Sequence, residues 1–406
     1  MVAHTFITLV LNCGASFRCA AKVLDLFASV LGLEGFNPDR STGRLWLLRI
    51  GLAALLRPKT HADDWVWMVD HSIQIGQCKC MVVLGIRQCD LPVDRALVHQ
   101  DMEPIALVPM ISSTKYTVAE CLENAVAQTG VPRAILDDHG ADLHGGVDIF
   151  CKAHPTTIEL YDIKHKAACL LKARLEKDPR WQAYCSQVGK TKFAIQQTAL
   201  AFLTPPSQRS KARFMNVDEV VAWGVGTLAL MDDPAKLATM GISAEQLKAK
   251  LGWLEEYRLN LSEWSSLMDV IAKTLDFVRC HGLTSHVGGK LDAVLPAMSG
   301  SASELREQLL AFVTDESSKI RQGERLLGTT EVLESCFGKL KMLEDGQSKS
   351  GFTGLVLSLG AMVSKWTAEN IGEAMKQCRV RDVVDWCRSN LGPSIQSQRR
   401  QAYSSK

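Results

Sequence analysis

The residues best suited to chemistry are three carboxylates far apart in the chain, Asp70, Asp138 and Glu334. Asp70 closes an apolar run that starts at Asp64 (DWVWMVD), and Asp138 closes another that starts at Pro132 (PRAILDD). Both therefore fall where a strand is expected to end. Carboxylates at strand ends can converge above a sheet, where α/β proteins place their chemistry. Glu334 lies in EVLESCFGKLK, residues 331–341. Helical spacing puts Glu334, Phe337 and Lys341 on one face and sets Glu334 beside the apolar edge formed by Leu333, Phe337 and Leu340. Glu331, one turn earlier, lies on the same side, so the spacing leaves both open. Three carboxylates from separate elements are the donor set of two hard divalent cations such as Mg²⁺ or Mn²⁺. Two such ions about 4 Å apart activate an attacking oxygen and stabilise the leaving oxygen of a phosphodiester. Taken singly, each residue has a plainer use, the aspartates as turn formers or caps and the glutamate as a solvated helix residue. Asp162 and His165, at the opening of a later helix, are a further candidate pair; a helix cap with a packed histidine is the plainer reading.

The elements that would position these groups follow from patterning. Residues 3–35 read as helices, broken at Asn12-Cys13-Gly14, with Ser16 as N-cap of the second. Helix, short turn, then a helix bearing Arg18 and Lys22 is the outline of a helix-turn-helix, and equally of an ordinary helical hairpin. Arg40 to Leu56 reads as an amphipathic helix whose basic side carries Arg44 and Arg49. The texture then changes. Strands are expected over 64–70, 79–85, 105–109, 132–138 and 157–163, with a turn at 72–77 around Gly76. Helices are expected over 118–129, 147–152 and 164–177. That order is an α/β layer arrangement. Residues 170–325 carry no strand pattern and read as all-helical, as do 328–345 and 351–392, and the basic tail after Pro393 reads as frayed.

Bulk properties set the frame. The chain has 406 residues, 47% hydrophobic and 22% charged, with a net charge of +2. It is long enough for two or three domains. Global charge is neutral to the question of nucleic acid; only local patches bear on it. The thirteen cysteines include no C-x-x-C and no zinc-finger spacing, and their scatter through apolar segments fits small buried thiols. Phe6 to Leu11 is too short for a signal peptide or a span, so a soluble cytoplasmic protein with no membrane partner is expected. The chain lacks a G-x-x-x-x-G-K-[ST] loop, a G-x-S-x-G elbow and an H-E-x-x-H pair, which removes the commonest ATPase, hydrolase and metalloprotease readings.

Taken together, these segments resemble a bacterial insertion-sequence transposase of the DDE superfamily, whose catalytic domain is RNase H-like. The resemblance is carried by WVWMVDHSIQIGQCK (65–79), PRAILDDHG (132–140), YDIKHK (161–166) and LLGTTEVLESCFGKLK (326–341), and covers about 61–176 and 325–346. It implies that Asp70, Asp138 (ahead of Asp137, because His-Gly follows it) and Glu334 hold two Mg²⁺ or Mn²⁺ ions. It further implies that Lys341, at E-x6-K spacing, contacts a phosphate. The implied activity cuts the ends of a mobile element and joins the 3′-hydroxyl to target DNA; the alternatives are an RNase H-like nuclease without strand transfer and a cleavage-inactive DNA-binding protein. Double-stranded DNA is the implied partner, bound through Arg18, Lys22, Arg44, His165 and Lys341, with a homodimer or larger assembly holding two ends. The implied layout is a helical region with a possible helix-turn-helix over 1–60, a mixed-sheet core over 61–176, a large all-α insertion over 177–324, the glutamate helix over 325–346 and a C-terminal helical region over 347–406. One departure bears on the subfamily: where the best-known form of the glutamate helix carries Tyr and Arg, this chain has Leu327 and Thr330.

Overall fold

The computed structural model describes residues 1–33, 37–75, 78–93, 95–208, 214, 217–345, 353–393 and 395–404. The expected turn at Gly76-Gln77 lies outside them. The chain divides into two compact units, one of residues 1–162 and 326–406, the other of residues 163–325.

The first unit opens with three helices, α1 (Val2–Leu11), α2 (Phe17–Leu31) and α3 (Arg40–Leu56), followed by β1 (Trp65–Ile75), β2 (Cys78–Arg87), β3 (Glu103–Met110), α4 (Lys115–Thr129), β4 (Ala134–Asp137), α5 (Ala141–Ala153) and β5 (Ile158–Tyr161). The five strands form one sheet in the order β3-β2-β1-β4-β5. β1, β2 and β3 are antiparallel neighbours, while β4 is parallel to β1 and β5 parallel to β4. Three meandering strands followed by two added on the other side of β1 through helical crossovers is the RNase H-like arrangement.

β1 sits at the centre because its first half can be buried on both faces. Trp65, Val66, Trp67, Met68 and Val69 are all buried. Alternation sends Trp65, Trp67 and Val69 to the face covered by α4 and α5, where they pack with Met81, Val83, Val118, Leu122, Leu143 and Phe150. Val66, Met68 and, by the same alternation, Asp70 face the other way. α4 starts at a cap in which Thr114 Oγ1 accepts from the Thr117 amide.

Three expectations are corrected here. β1 does not end at Asp70; Asp70 pairs with Val82 and the strand runs on to Ile75. α5 starts at Ala141, not at 147, so its first turn follows Gly140 directly. α3 is amphipathic only in its first turns, where Arg40 and Arg44 lie; beyond them Leu47, Leu48 and Ile50–Leu55 are all buried. Its Arg49 turns inward and donates to the carbonyl of Met375 at 2.5 Å and of Cys378 at 2.7 Å.

The unit is completed by α14 (Glu331–Asp345), α15 (Ser358–Met362), α16 (Ala368–Gln377), α17 (Val380–Asn390) and α18 (Ile395–Tyr403). The tail expected to be frayed is thus helical, as its Arg- and Gln-rich sequence favours. α14 packs against β1, and α15 and α16 pack against α3. The α3–α15 contact is made by backbone: a Cβ on Gly51 would lie 1.8 Å from the Leu357 carbonyl oxygen.

The second unit holds α6 (Ile163–Leu175), α7 (Pro179–Ile195), α8 (Val217–Met231), α9 (Pro234–Thr239), α10 (Ala244–Leu251), α11 (Arg258–His281), α12 (Val287–Val294) and α13 (Ser301–Ser318), with no strand among its described residues. α6 belongs to this unit, where the sequence layout set the boundary after 176. Its centre is aromatic: Tyr184 and Trp264 have ring centroids 5.2 Å apart, and the Tyr184 hydroxyl donates to the Val220 carbonyl at 2.8 Å. No helix among the described residues is long and apolar enough to cross a membrane.

Candidate active site

β1 and β4 run parallel with Val66 opposite Ala134 and Met68 opposite Leu136. Continuing in that register brings Asp70 and Asp138 to the same level on neighbouring strands. β4 ends at Asp137, so Asp138 has left the ladder while β1 continues with β2 as its partner. The sheet opens at that point, and a cleft of about 230 Å³ forms, lined by Asp70, His71, Ser72, Lys79, Asp138, Gly140, Asp142 and Leu143. Asp138 Oδ1 accepts from the Gly140 amide at 2.8 Å, and Asp70 Oδ1 from the His71 amide at 2.6 Å. Each carboxylate is thus oriented by its own loop. Both are half-buried.

A third carboxylate in the cleft, Asp142, is held firmly. Lys79 Nζ donates to its Oδ2 at 2.7 Å, and His71 Nδ1 lies 3.9 Å from the same oxygen. Burial alone would raise its pKa, but hydrogen bonds from Lys79 and Ser113 and the His71 charge outweigh that and pull it down to about 2. His71 itself is held below its usual value, first by burial, against the pull of Asp142. Its Nε2 lies 3.1 Å from Ser113 Oγ. Asp142, Lys79 and His71 were not singled out from the sequence. Asp142 was within reach: with α5 starting at Ala141 it falls in the first turn, four residues after Asp138.

Glu334 is not a lining residue of this cleft. It is half-buried in the first turn of α14, as Glu331 is, and that helix packs on the strand bearing Asp70. Leu333, Phe337 and Leu340 are buried beside it as the helical spacing predicts. α14 is anchored by Asp162, which is fully buried: its Oδ2 accepts from the Thr330 amide at 2.5 Å and from Thr330 Oγ1 at 2.7 Å. Asp162 therefore ties the end of β5 to the start of α14. A short helical turn, His99–Asp101, braces the outer side, with His99 Nε2 3.1 Å from Ser335 Oγ and Lys339 Nζ 3.3 Å from His99 Nδ1. Lys341 is exposed, as are Arg18 and Cys19 at the start of α2; Arg44 is half-buried in α3. Lys22 lies farther along α2, and His165 belongs to the second unit.

Asp137 and Asp138 are placed differently. Asp137 is fully buried and accepts from the His139 amide at 2.6 Å, whereas Asp138 faces the cleft. Burial, and then the negative charge of Glu159, raise the Asp137 carboxyl well above its ordinary range. Beside it, the ligand atoms of His139, His144 and Glu159 all lie within 4.8 Å of one another, the one such metal-capable group among the described residues. His144 Nδ1 is 2.6 Å from Glu159 Oε1. His139 takes a left-handed φ of 56° and stacks flat on Tyr161, centroids 3.9 Å apart, with His144 on its other side at 4.4 Å and 27°. One ion shared by both rings must lie in both ring planes, and stacked planes meet far from the nitrogens. This group is therefore arranged as a hydrogen-bonded stack that sets the loop after β4.

The donor chemistry of the cleft fits a hard cation: Asp70, Asp138 and Asp142 offer oxygens only, in half-solvated positions. No protein-family model matches the chain, and no curated protein sequence does. Among solved structures, the Drosophila P element transposase strand transfer complex is similar to 11% identity with a TM-score of 0.38, the match covering 90% of this chain and 96% of that one. The RNase H-like fold rests on the strand order and register. The cysteines depart from expectation: Cys80, Cys336 and Cys378 are buried, but Cys13, Cys19, Cys89, Cys169 and Cys280 are exposed.

Proposed function

We propose that this chain is a metal-dependent DNA transposase of the DDE type, cutting phosphodiester bonds at element ends and joining the freed 3′-hydroxyl to target DNA. The observation that carries the reading is that Asp70 and Asp138, at positions that continue the parallel β1–β4 register, line one cleft. Asp70 and Asp138 would hold Mg²⁺ or Mn²⁺ together with Glu334, whose helix rests on β1. Two such ions supply Lewis acidity at the attacking and leaving oxygens.

The protein's own residues do the rest. Asp142, kept charged by Lys79 and His71, adds a negative wall that favours cation over phosphate at the cleft floor. Asp162 ties the start of the glutamate helix to the end of β5. Lys341, exposed beyond Glu334 on α14, is assigned to a phosphate of the duplex, as are Lys22 and His165. Duplex DNA is the substrate, and a pair of chains would bring two ends together.

The test uses the full chain with labelled oligonucleotides copied from the DNA flanking its coding sequence, with Mg²⁺ or Mn²⁺. Asp70→Asn and Asp138→Asn should each lower cleavage and strand transfer by about a thousandfold or more, since a metal bridge and the charge it balances are lost together. Cleavage without joined product would leave a nuclease. Full activity in either variant would refute the assignment of the site.

A further inference from the structure

The N-terminal helices and the C-terminal region enclose a second, much larger cleft, of about 1450 Å³. Its floor is apolar, with Leu45, Leu48, Leu343 and Val383, and Phe17 stands at its wall. Its polar lining is cationic. Arg18, Arg40, Arg44 and Arg388 all line it, and among the described residues no aspartate or glutamate does. Arg388 is paired, 3.7 Å from Asp385. The other three have no ion pair among the described residues.

Arg44 is the most informative. Its Nε is buried without a hydrogen-bond partner, and burial lowers the pKa of its guanidinium. An unpaired, partly desolvated guanidinium facing a cavity is costly unless an anion completes it. Two helix ends add to the field. α2 and α3 both begin at this cleft, at Ser16–Arg18 and Arg40–Ser41, and neither carries an acidic residue in its first turn. The carboxylate of Asp39, the N-cap of α3, is spent on the Thr42 amide at 2.8 Å.

Shape selects among anions. Pockets for small ligands run to about 300–1,000 Å³, so this cleft suits a stretch of chain. Duplex DNA is read by elements that protrude into its grooves, and a concave cleft with an apolar floor meets neither groove. An unpaired strand presents phosphates and exposed base faces together, which matches arginines over an apolar floor with a ring beside it. We propose that this cleft binds an unpaired nucleic-acid strand, with phosphates on Arg18, Arg40 and Arg44 and bases on the floor beside Phe17. The site lies apart from the Asp70–Asp138 cleft and does not depend on cleavage.

The test is fluorescence anisotropy with the full chain, a labelled single-stranded oligonucleotide of about twelve nucleotides, and the blunt duplex of the same sequence. Arg18 and Arg40 are exposed, so the double variant Arg18→Ala/Arg40→Ala should keep the fold, checked by its melting curve. Single-strand affinity should drop about tenfold or more in the variant. The salt dependence should become shallower by roughly 1.4 in log–log slope, two contacts at about 0.7 each. Duplex affinity should change less than about twofold, and Arg18→Lys/Arg40→Lys should restore most of the single-strand binding. Arg381→Ala, an exposed arginine outside the cleft, should do nothing. Asp70→Asn should bind the strand as the parent does, so a failed nuclease assay and a failed cleft are told apart. Unchanged single-strand binding in the double variant would overturn the proposal. So would equal weakening of strand and duplex, or competition by inorganic phosphate or a free nucleotide as effective as that by the strand.

Discussion

Replacing Thr330 with valine tests whether the start of the glutamate helix is held from the far side of the sheet. Thr330 is 1% exposed and Asp162 0%, and the carboxylate receives both the amide and the hydroxyl of Thr330. Thr330→Val keeps the shape and the amide but deletes the hydroxyl donor. A hydrogen bond to a charged group contributes about 1.5–3 kcal/mol, and its loss here leaves a buried carboxylate short of a partner. With tenfold for each 1.4 kcal/mol, local opening of α14 should become about 10- to 150-fold more frequent. The assay is native-state hydrogen exchange of the α14 amides, with β1 and β4 as internal reference. Protection should fall in α14 alone. A change under about threefold there, or an equal change across the sheet, would refute the anchoring role.

Three further outcomes follow from the same geometry. Asp142, with its pKa near 2 against an ordinary 3.8, contributes stability above about pH 4 that is lost as pH falls towards 2. In metal-free buffer the melting temperature of the parent should therefore converge on that of Asp142→Asn across that window, and a constant gap would contradict the ion pairing with Lys79. Gly51→Ala would drive a methyl group into the Leu357 carbonyl; a loss of about 3 kcal/mol or more is expected, read as a lower melting temperature or lost soluble yield. Cys80 and Cys336 have thiol pKa values raised by burial, Cys336 to about 12. Under native conditions a thiol reagent should label Cys13, Cys19 and Cys89 and reach these two only after unfolding. A fast-reacting thiol missing from Cys80→Ser would show that reading wrong.

The sheet was legible because β1 and β2 announce themselves in WVWMV and MVVLG, where aromatic and β-branched residues serve a core on both faces. What failed was judging extent. Ser72 to Gln77 mixes polar and apolar residues and reads as a turn, yet its residues as far as Ile75 are β1 continuing alongside β2 after β4 has stopped. The start of α5 was missed because Gly145-Gly146 looks like a break. In the fold that glycine pair permits close packing: a Cβ on Gly146 would sit 2.4 Å from Val118. The basic side assigned to α3 failed at Arg49 for a similar reason, since whether an arginine meets solvent or caps another helix depends on partners more than three hundred residues away. The strands near both aspartates were readable from patterning, though not that β1 runs past Asp70, and the glutamate helix was readable from its periodicity. The Lys79–Asp142–His71 set was not, because it is assembled by register across β2, β1 and α5.

The unit that carries Asp70 and Asp138 is interrupted in sequence, and its central helix α3 is closed against α15 by backbone contact at Gly51. During synthesis, residues 163–325 emerge as an uninterrupted stretch and can collapse as they appear. The first unit cannot be finished then, because α14 and the helices that follow it have yet to be made. A ribosome that stops early would therefore release a chain with Asp70 and Asp138 but without the helix that carries Glu334. For a protein proposed to cut DNA, the order of manufacture acts as a safety catch.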